Sequence, residues 1–307
     1  MRNAYLETLY ELAGNDRNVY AVISDNGAIV YDKFRQDFPS QYINAGISEA
    51  NMIGMAAGMA EQGKIPFAYT IGAFLAYRAY EFILNDVCLQ NQNVKMVGIG
   101  AGFSYSLLGP SHHTIFDLSA LRAIPNLTIL SPASPLEVRK AVRAAYELQG
   151  PVYIRIGTNR EPEIYNDDYD FCLGKGVELR TGSDVTIIST GSIVFDVLQA
   201  ADLLESKGMS VRVINTHTIK PFDADIVRKA VQDTHLLVTV EEHSISGGLG
   251  SAVAEVIAEC GAGGRLLRIG LNDFVKGYGK HDELENINGI SVNAIVKTIT
   301  TLMKENL

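Results

Sequence analysis

The sequence predicts an α/β protein of two domains, each a mostly parallel sheet with helices on both faces. Three observations carry that reading. Short apolar, β-branched runs alternate with helix-length segments along the chain, as in βα units whose strands are buried on both faces. A polar, acidic stretch without periodicity, residues 161–170, interrupts the alternation. At 307 residues and 47% hydrophobic composition, the chain has the size and apolar content for two cores. The expected division is a first domain over 1–160, a linker over 161–180 and a second domain over 181–307.

Taken in order, residues 3–13 read as a helix ending near Gly14-Asn15-Asp16, and 19–23 as a buried strand closed by Ser24-Asp25-Asn26-Gly27. Residues 41–45 form a short strand, and a helix of small and apolar residues follows from Glu49 towards Gly63. A strand at 65–70, one long helix over 74–92 and a strand at 94–99 come next. The loop 100–113 precedes a helix (115–123), a strand (127–130), a helix (135–148) and a strand (152–156). In the second domain, strands are expected at 185–189, 210–214, 235–240 and 266–269. Helices are expected at 193–206, 223–232, 249–259 and after Ser291.

A formal net charge of −9 argues against a nucleic-acid surface. Apolar stretches are broken by glycine or polar residues short of a membrane span, and Met1–Glu7 lacks the apolar core of a signal peptide. Cys88, Cys172 and Cys260 are too scattered for a disulfide framework or a metal knuckle, so no metal site is expected. These features point to a soluble, cytoplasmic protein with neither nucleic acid nor membrane as partner.

The chain is organised around Gly46-Ile47-Ser48-Glu49 and the small-residue helix behind it. Ser48 is a natural N-cap, and Glu49 in the first turn is favoured by the helix dipole. Gly54 and Gly58 cost helix propensity, which suggests a close-lying backbone. A carboxylate at the mouth of a buried helix is desolvated, and desolvation raises a carboxyl pKa; the plainer reading is a charge that only stabilises the helix. Ligands bind at the carboxyl ends of strands in open parallel sheets. That rule gathers Ser24-Asp25, Asn44 to Glu49, Thr70 to Phe74 and Gly100 to His113 on one edge. His112 and His113 follow the turn Gly109-Pro110-Ser111, with no Cys or spaced acid to complete a metal site. They suit proton transfer or oxygen binding in a pocket, or else lie at the surface. Phe74 and Tyr77 share a helical face, with Arg78 at i+4 from Phe74. That stripe is either core packing or a platform for a flat heterocycle. Gly98-Ile99-Gly100-Ala101-Gly102 lacks the spacing of a dinucleotide loop.

With those residues in view, the chain resembles the C-terminal half of a transketolase, most closely the separate C-terminal subunit of split transketolases, and is related to deoxyxylulose-phosphate synthase. The resemblance runs through both domains. Its most specific pieces are Gly46-Ile47-Ser48-Glu49, Gly109-Pro110-Ser111-His112 and Phe116-Asp117-Leu118-Ser119-Ala120-Leu121-Arg122. His217-Thr218-Ile219-Lys220-Pro221 and Glu241-Glu242-His243-Ser244-Ile245-Ser246-Gly247-Gly248 carry it in the second domain. The resemblance implies a thiamine-diphosphate pyrimidine-binding domain followed by a transketolase C-terminal domain. It implies that Glu49 hydrogen-bonds N1′ of the aminopyrimidine, where a shared proton favours the imino tautomer that starts the chemistry. Phe74 and Tyr77 match aromatics that pack on the pyrimidine, with Arg78 beside them, and Asp25 matches an acid near the cofactor. Ser24 borders the substrate channel, and His112, with His113 next to it, matches a histidine that contacts substrate oxygens. Glu49 and His112 are thereby the candidate catalytic pair.

The family's Gly-Asp-Gly motif, which holds Mg²⁺ and the diphosphate, is absent from the sequence. The resemblance therefore implies a separate N-terminal subunit that supplies the rest of the site, self-association, and an α₂β₂ assembly acting on sugars or sugar phosphates. The implied reaction moves a two-carbon ketol unit from a ketose to an aldehyde. Alternatives are a pyruvate-using synthase, a 2-oxo acid dehydrogenase β subunit, or a non-catalytic assembly subunit. Two departures bear on the substrate: Leu108 stands where the family usually has an acid, and Gly100 where it has a second histidine. Arg155 and Arg160 are the candidates for gripping a substrate phosphate, and Glu241 and His243 read as structural.

Overall fold

In this computed structural model the described residues are 1–158, 161–166, 168–261, 264–275 and 277–304. Twelve strands are described among them. β1 (Val19–Ile23), β2 (Tyr42–Asn44), β3 (Ile65–Ile71), β4 (Lys95–Ile99), β5 (Thr128–Leu130) and β6 (Val152–Ile156) belong to the first half. β7 (Val177–Arg180), β8 (Val185–Ser189), β9 (Val211–Asn215), β10 (Thr218–Lys220), β11 (Leu236–Ser244) and β12 (Arg265–Leu271) follow.

The first sheet has seven strands in the order β10-β5-β6-β4-β3-β1-β2, and the second has five in the order β12-β11-β8-β9-β7. Both are parallel except at one edge, where β10 and β7 run antiparallel to their neighbours. The central parallel strands are buried on both faces, β4, β6 and β8 at every residue, while the edge strands β2 and β12 are partly open. Helices supply the covers. One core cluster lies between the first sheet and the helix Glu49–Glu61, and another between that sheet and the helices Arg2–Asn15 and Pro135–Glu147.

Several expectations need correction. The helix expected over 74–92 is three pieces: Gly72–Arg78, a turn at Tyr80–Phe82 and a π-helical segment Ile83–Leu89. Ala79, at φ −102° and ψ 12°, breaks the run, so Phe74, Tyr77 and Arg78 stay outside while Ile83, Val87 and Cys88 enter the core. Ser48 occupies the N-cap position of the Glu49–Glu61 helix, but its hydroxyl donates back to Ala45 O (2.7 Å) and caps no helical N–H. Within this chain nothing crowds Gly58, and the nearest atom to a Cβ at Gly54 would be Phe82 Cδ1 at 3.5 Å. β7 lies inside the stretch expected to be linker. β10 crosses from the second half of the chain to extend the first sheet.

Polar residues in 161–170 are held by the body of the protein. Tyr165 and Tyr169 stack at 4.4 Å and donate to the Glu137 carboxylate at 2.6 and 2.7 Å, and Asn215 donates to it at 2.9 Å. Glu137 itself sits in the first turn of a helix capped by Ser134. One buried carboxylate thus joins the first sheet's helix, the connecting segment and β9, because a buried anion is tolerated only when its lone pairs are taken up.

Candidate active site

The connection from β1 runs to β2 on one side and that from β3 to β4 on the other, so the loops leaving the adjacent strands β1 and β3 diverge. Such a switch point leaves a crevice for ligands. Ser24 Oγ donates to Thr70 Oγ1 at 2.6 Å across that point, and both residues are buried. Beside it Asp25 takes a left-handed backbone conformation (φ 60°). Asn44, at the end of β2, holds it there: Nδ2 donates to Asp25 Oδ1 (2.9 Å) and Oδ1 accepts the Asp25 N–H (3.1 Å). The same Oδ1 accepts the Gly46 N–H at 3.0 Å.

Glu49 follows at the start of its helix and is 4% exposed. Arg78 Nη1 donates to Glu49 Oε2 at 3.1 Å, although the Arg78 side chain is 51% exposed. The same guanidinium lies 3.9 Å over the Phe74 ring. Phe74 meets the His112 ring edge-on at 4.9 Å. Carboxylate, guanidinium, aromatic ring and imidazole therefore form one continuous chain of contacts. Tyr77 is 40% exposed, and its hydroxyl accepts the Phe116 N–H at 3.0 Å. The aromatic stripe borders an opening rather than filling the core. Close approach makes this possible: Gly72 packs on Thr114, whose hydroxyl accepts the Ala73 N–H at 3.1 Å.

The two histidines part company. His112 is half-buried, with Nδ1 3.0 Å from Ser111 Oγ. His113 is buried against Phe103 (5.2 Å), and burial pushes its imidazole pKa down. Of the pair, only His112 reaches the crevice.

Gly100 has φ +85°, and a Cβ there would overlap the Tyr105 ring. Tyr105 thus fills the space where the family resemblance places a second histidine. Leu108 is exposed. Arg155 is not available to a phosphate. It is buried, its Nε donates to Asp117 Oδ2 at 3.1 Å, and its Nη2 donates to Thr114 O and Glu242 O at 2.9 and 3.0 Å. The other candidate, Arg160, lies outside the described residues. Glu241 accepts the N–H groups of Leu249 and Gly250 at 2.8 Å each, capping the Leu249–Cys260 helix. His243 Nε2 accepts the Leu118 N–H at 3.2 Å. The strand-end rule placed Asn44, Thr70 and Tyr105 on this edge without assigning them roles, and it did not foresee that Glu242 reaches the same loop. Glu242 reaches from the second half to accept the Phe103 N–H at 2.7 Å and so steadies the loop that carries His112.

With this geometry in place, comparison with known proteins is informative. Residues 1–160 match the family model for the transketolase pyrimidine binding domain, and residues 174–295 that for the transketolase C-terminal domain. The chain belongs to the transketolase family. A transketolase C-terminal section of Methanocaldococcus jannaschii is 41% identical over 99% of this chain and 96% of its own length. One of the subunits of the apulose-4-phosphate transketolase of Phocaeicola vulgatus is 35% identical over 99% of this chain and 97% of its own. A solved split-gene transketolase, an inactive β4 tetramer, is 36% identical with a TM-score of 0.88, covering 98% of this chain and 96% of that one. The chain is thus a transketolase-type transferase subunit, similar throughout to the C-terminal component of a split enzyme.

Proposed function

We propose that this chain supplies the pyrimidine-binding half of a thiamine-diphosphate site and, with a separate N-terminal subunit, transfers a two-carbon ketol unit from a ketose to an aldehyde. The observation that carries the reading is Glu49, a buried carboxylate at the β1/β3 crevice with Phe74 and Arg78 beside it. That donor set fits an aminopyrimidine: an acid for a ring nitrogen and a half-buried aromatic for the flat face. Bound there, thiamine diphosphate supplies the carbon nucleophile for the ketose carbonyl.

Each residue has a task. Glu49 holds a proton at N1′. Phe74 and Tyr77 flank the ring, Arg78 keeps the carboxylate oriented, and Asp25, fixed by Asn44, lines the cofactor's edge. Ser24 borders the substrate channel. His112 binds substrate oxygens and passes protons there, while His113 buttresses its loop through Phe103. Mg²⁺ and the diphosphate fall to the N-terminal subunit, because no Gly-Asp-Gly occurs in this sequence. Exposed Ile47, Tyr77, Leu107, Leu108, Phe274 and Tyr278 support a partner at this edge. Phe274 packs on Phe116, and Gly109 lies against Tyr278, so the two loops make one apolar surface around the opening. The expected assembly is α₂β₂ and cytoplasmic, acting on sugars or sugar phosphates. No helix among the described residues is long and apolar enough to cross a membrane.

Titration calorimetry with thiamine diphosphate and Mg²⁺ tests the reading, on the chain alone and on the chain co-purified with its partner. Tight binding only in the mixture is expected. A donor panel then separates reactions, since turnover with pyruvate and not with ketose phosphates would replace ketol transfer by a synthase reaction. No binding in either sample would leave an assembly role.

A further inference from the structure

The second sheet has a crevice of its own. The connection from β8 runs to β9 on one side and that from β11 to β12 on the other, so the loops leaving β8 and β11 diverge as those of β1 and β3 do. A cavity of about 510 Å³ opens there. Its described lining includes Glu161, Asp196, Glu242, Asp282 and Glu285 together with His281, and no lysine or arginine. The N-terminal ammonium pairs with Glu161 at 3.4 Å, which leaves four carboxylates around one imidazole and the cavity short of positive charge, a costly arrangement in a partly desolvated space.

Three of these groups converge. His281 Nε2 lies 2.7 Å from Glu242 Oε1 and 3.3 Å from Glu285 Oε1. That nitrogen is buried, yet it makes no aligned hydrogen bond to either carboxylate. One nitrogen and two oxygens at such separations can occupy neighbouring positions around an ion with ligand bonds of about 2.1 Å. Glu242 is fixed from behind by the Phe103 N–H (2.7 Å) and by Ser192 Oγ, which donates to its Oε2 at 3.3 Å. Hydrogen bonds of that kind orient a metal-binding carboxylate. Two carboxylates and an imidazole, without a thiolate, suit borderline divalent ions over soft ones.

We propose that Glu242, His281 and Glu285 bind a divalent transition-metal ion of the Mn²⁺, Fe²⁺ or Zn²⁺ class. This site is separate from the one that would hold the cofactor's Mg²⁺, and it does not rest on the reading of the transferase reaction. Because Glu242 also accepts the Phe103 N–H, a bound ion would tie the helix His281–Ile287 to the loop carrying His112.

The test is Mn²⁺ titration of the full chain without partner or thiamine diphosphate, followed by electron paramagnetic resonance and calorimetry. One ion per chain is expected, with affinity falling by more than ~10-fold in both His281→Ala and Glu285→Ala. Circular dichroism of the metal-free variants checks that they fold. No uptake by the unaltered chain, or affinity retained in either folded variant, overturns the proposal and leaves His281 as an imidazolium clasped by two carboxylates. Neither result depends on turnover, so a failed transferase assay would not affect the outcome.

Discussion

Arg78 Nη1 lies 3.1 Å from Glu49 Oε2, so the one buried carboxylate at the β1/β3 crevice faces a guanidinium that is itself half in solvent. The pair is asymmetric. Half the guanidinium is in solvent, but Glu49 is buried, so Arg78→Ala should cost about 1–3 kcal/mol, above the worth of a surface pair and below that of a fully buried one. Its effect should also appear in cofactor affinity, because the guanidinium covers the Phe74 ring. Urea unfolding beside thiamine-diphosphate titration of the reconstituted enzyme checks the split; a large stability loss with unchanged affinity would contradict it.

Glu49→Gln keeps the shape of the side chain and removes its acid. If Glu49 holds the proton at N1′, turnover by the reconstituted enzyme should fall by about 10²–10⁴-fold, the usual worth of a positioned acid or base. Folding should survive, since the amide can still accept from Arg78. Steady-state kinetics with a ketose donor reads the effect, and unchanged turnover would remove Glu49 from the chemistry.

His112→Asn should act on substrate. The ring rests edge-on against Phe74 with its other side towards the crevice, so its loss should lower kcat/KM by about 10²-fold or more while thiamine-diphosphate affinity holds. Loss of cofactor affinity instead would place the 100–113 loop against the wrong ligand.

How much of this was legible in the sequence depends on distance along the chain. The alternating strands could be read because β4, β6 and β8 are buried on both faces and show it locally as short, mainly apolar and β-branched runs, interrupted only by Lys95, Arg155, Thr186 and Ser189. Glu49 and the strand-end loops followed from the same local pattern with the crevice rule. The break at Ala79 could not be read, because no proline or glycine marks it between Phe74 and Gln92 and only tertiary packing decides which side chains turn inward. The partners of Glu242 and Arg155 were hidden for another reason: Phe103 lies 139 residues from Glu242, and Asp117 lies 38 from Arg155. Arg155 therefore looked free for a phosphate when it is locked in an ion pair.

Gly100 limits how the substrate pocket can be rebuilt. Its φ of +85° and the Tyr105 ring both oppose a side chain. Gly100→His should destabilise the protein by roughly 2–4 kcal/mol, combining left-handed strain with overpacking. Adding Tyr105→Ala should return part of that loss. Urea titrations of the single and double variants decide, and a stable single variant would mean that Tyr105 yields easily.

His217 should contribute a loss of stability in mild acid, opposed by His281, whose pKa is raised to about 11 and whose slope has the other sign. The His217 ring is buried, stacks on Phe171 at 4.1 Å and has Nδ1 2.9 Å from Thr218 Oγ1. Burial pushes its pKa below the ordinary 6.5. The unfolded chain therefore takes up the proton first as pH drops through 6.5, and stability declines until the folded form titrates as well. His113, buried against Phe103, adds a slope of the same sign. Above the ordinary value both rings are neutral in either state and contribute no pH dependence. Relative to the unaltered chain, His217→Gln should therefore gain stability as pH is lowered in urea unfolding between about pH 7.5 and 5.5. An identical slope in the variant would assign the acid sensitivity elsewhere.

Asp117 and Arg155 form the buried counterpart of the Glu49–Arg78 pair, and the contrast sets the last expectation. Both side chains are buried, Tyr153 donates to Asp117 Oδ2 at 2.7 Å, and Arg155 also donates to backbone oxygens of Thr114 and Glu242. Breaking one partner leaves a charge without its mate where water cannot reach, which costs about 3–5 kcal/mol. Asp117→Asn should therefore destabilise more than Arg78→Ala. Removing the stranded charge as well, in Asp117→Asn with Arg155→Met, should recover part of the loss, because the desolvated guanidinium is the larger penalty. The same cycle separates the two assignments of Arg155. A guanidinium kept for a substrate phosphate would show a small stability term and a large KM effect, whereas this ion pair requires strong coupling in the urea titrations.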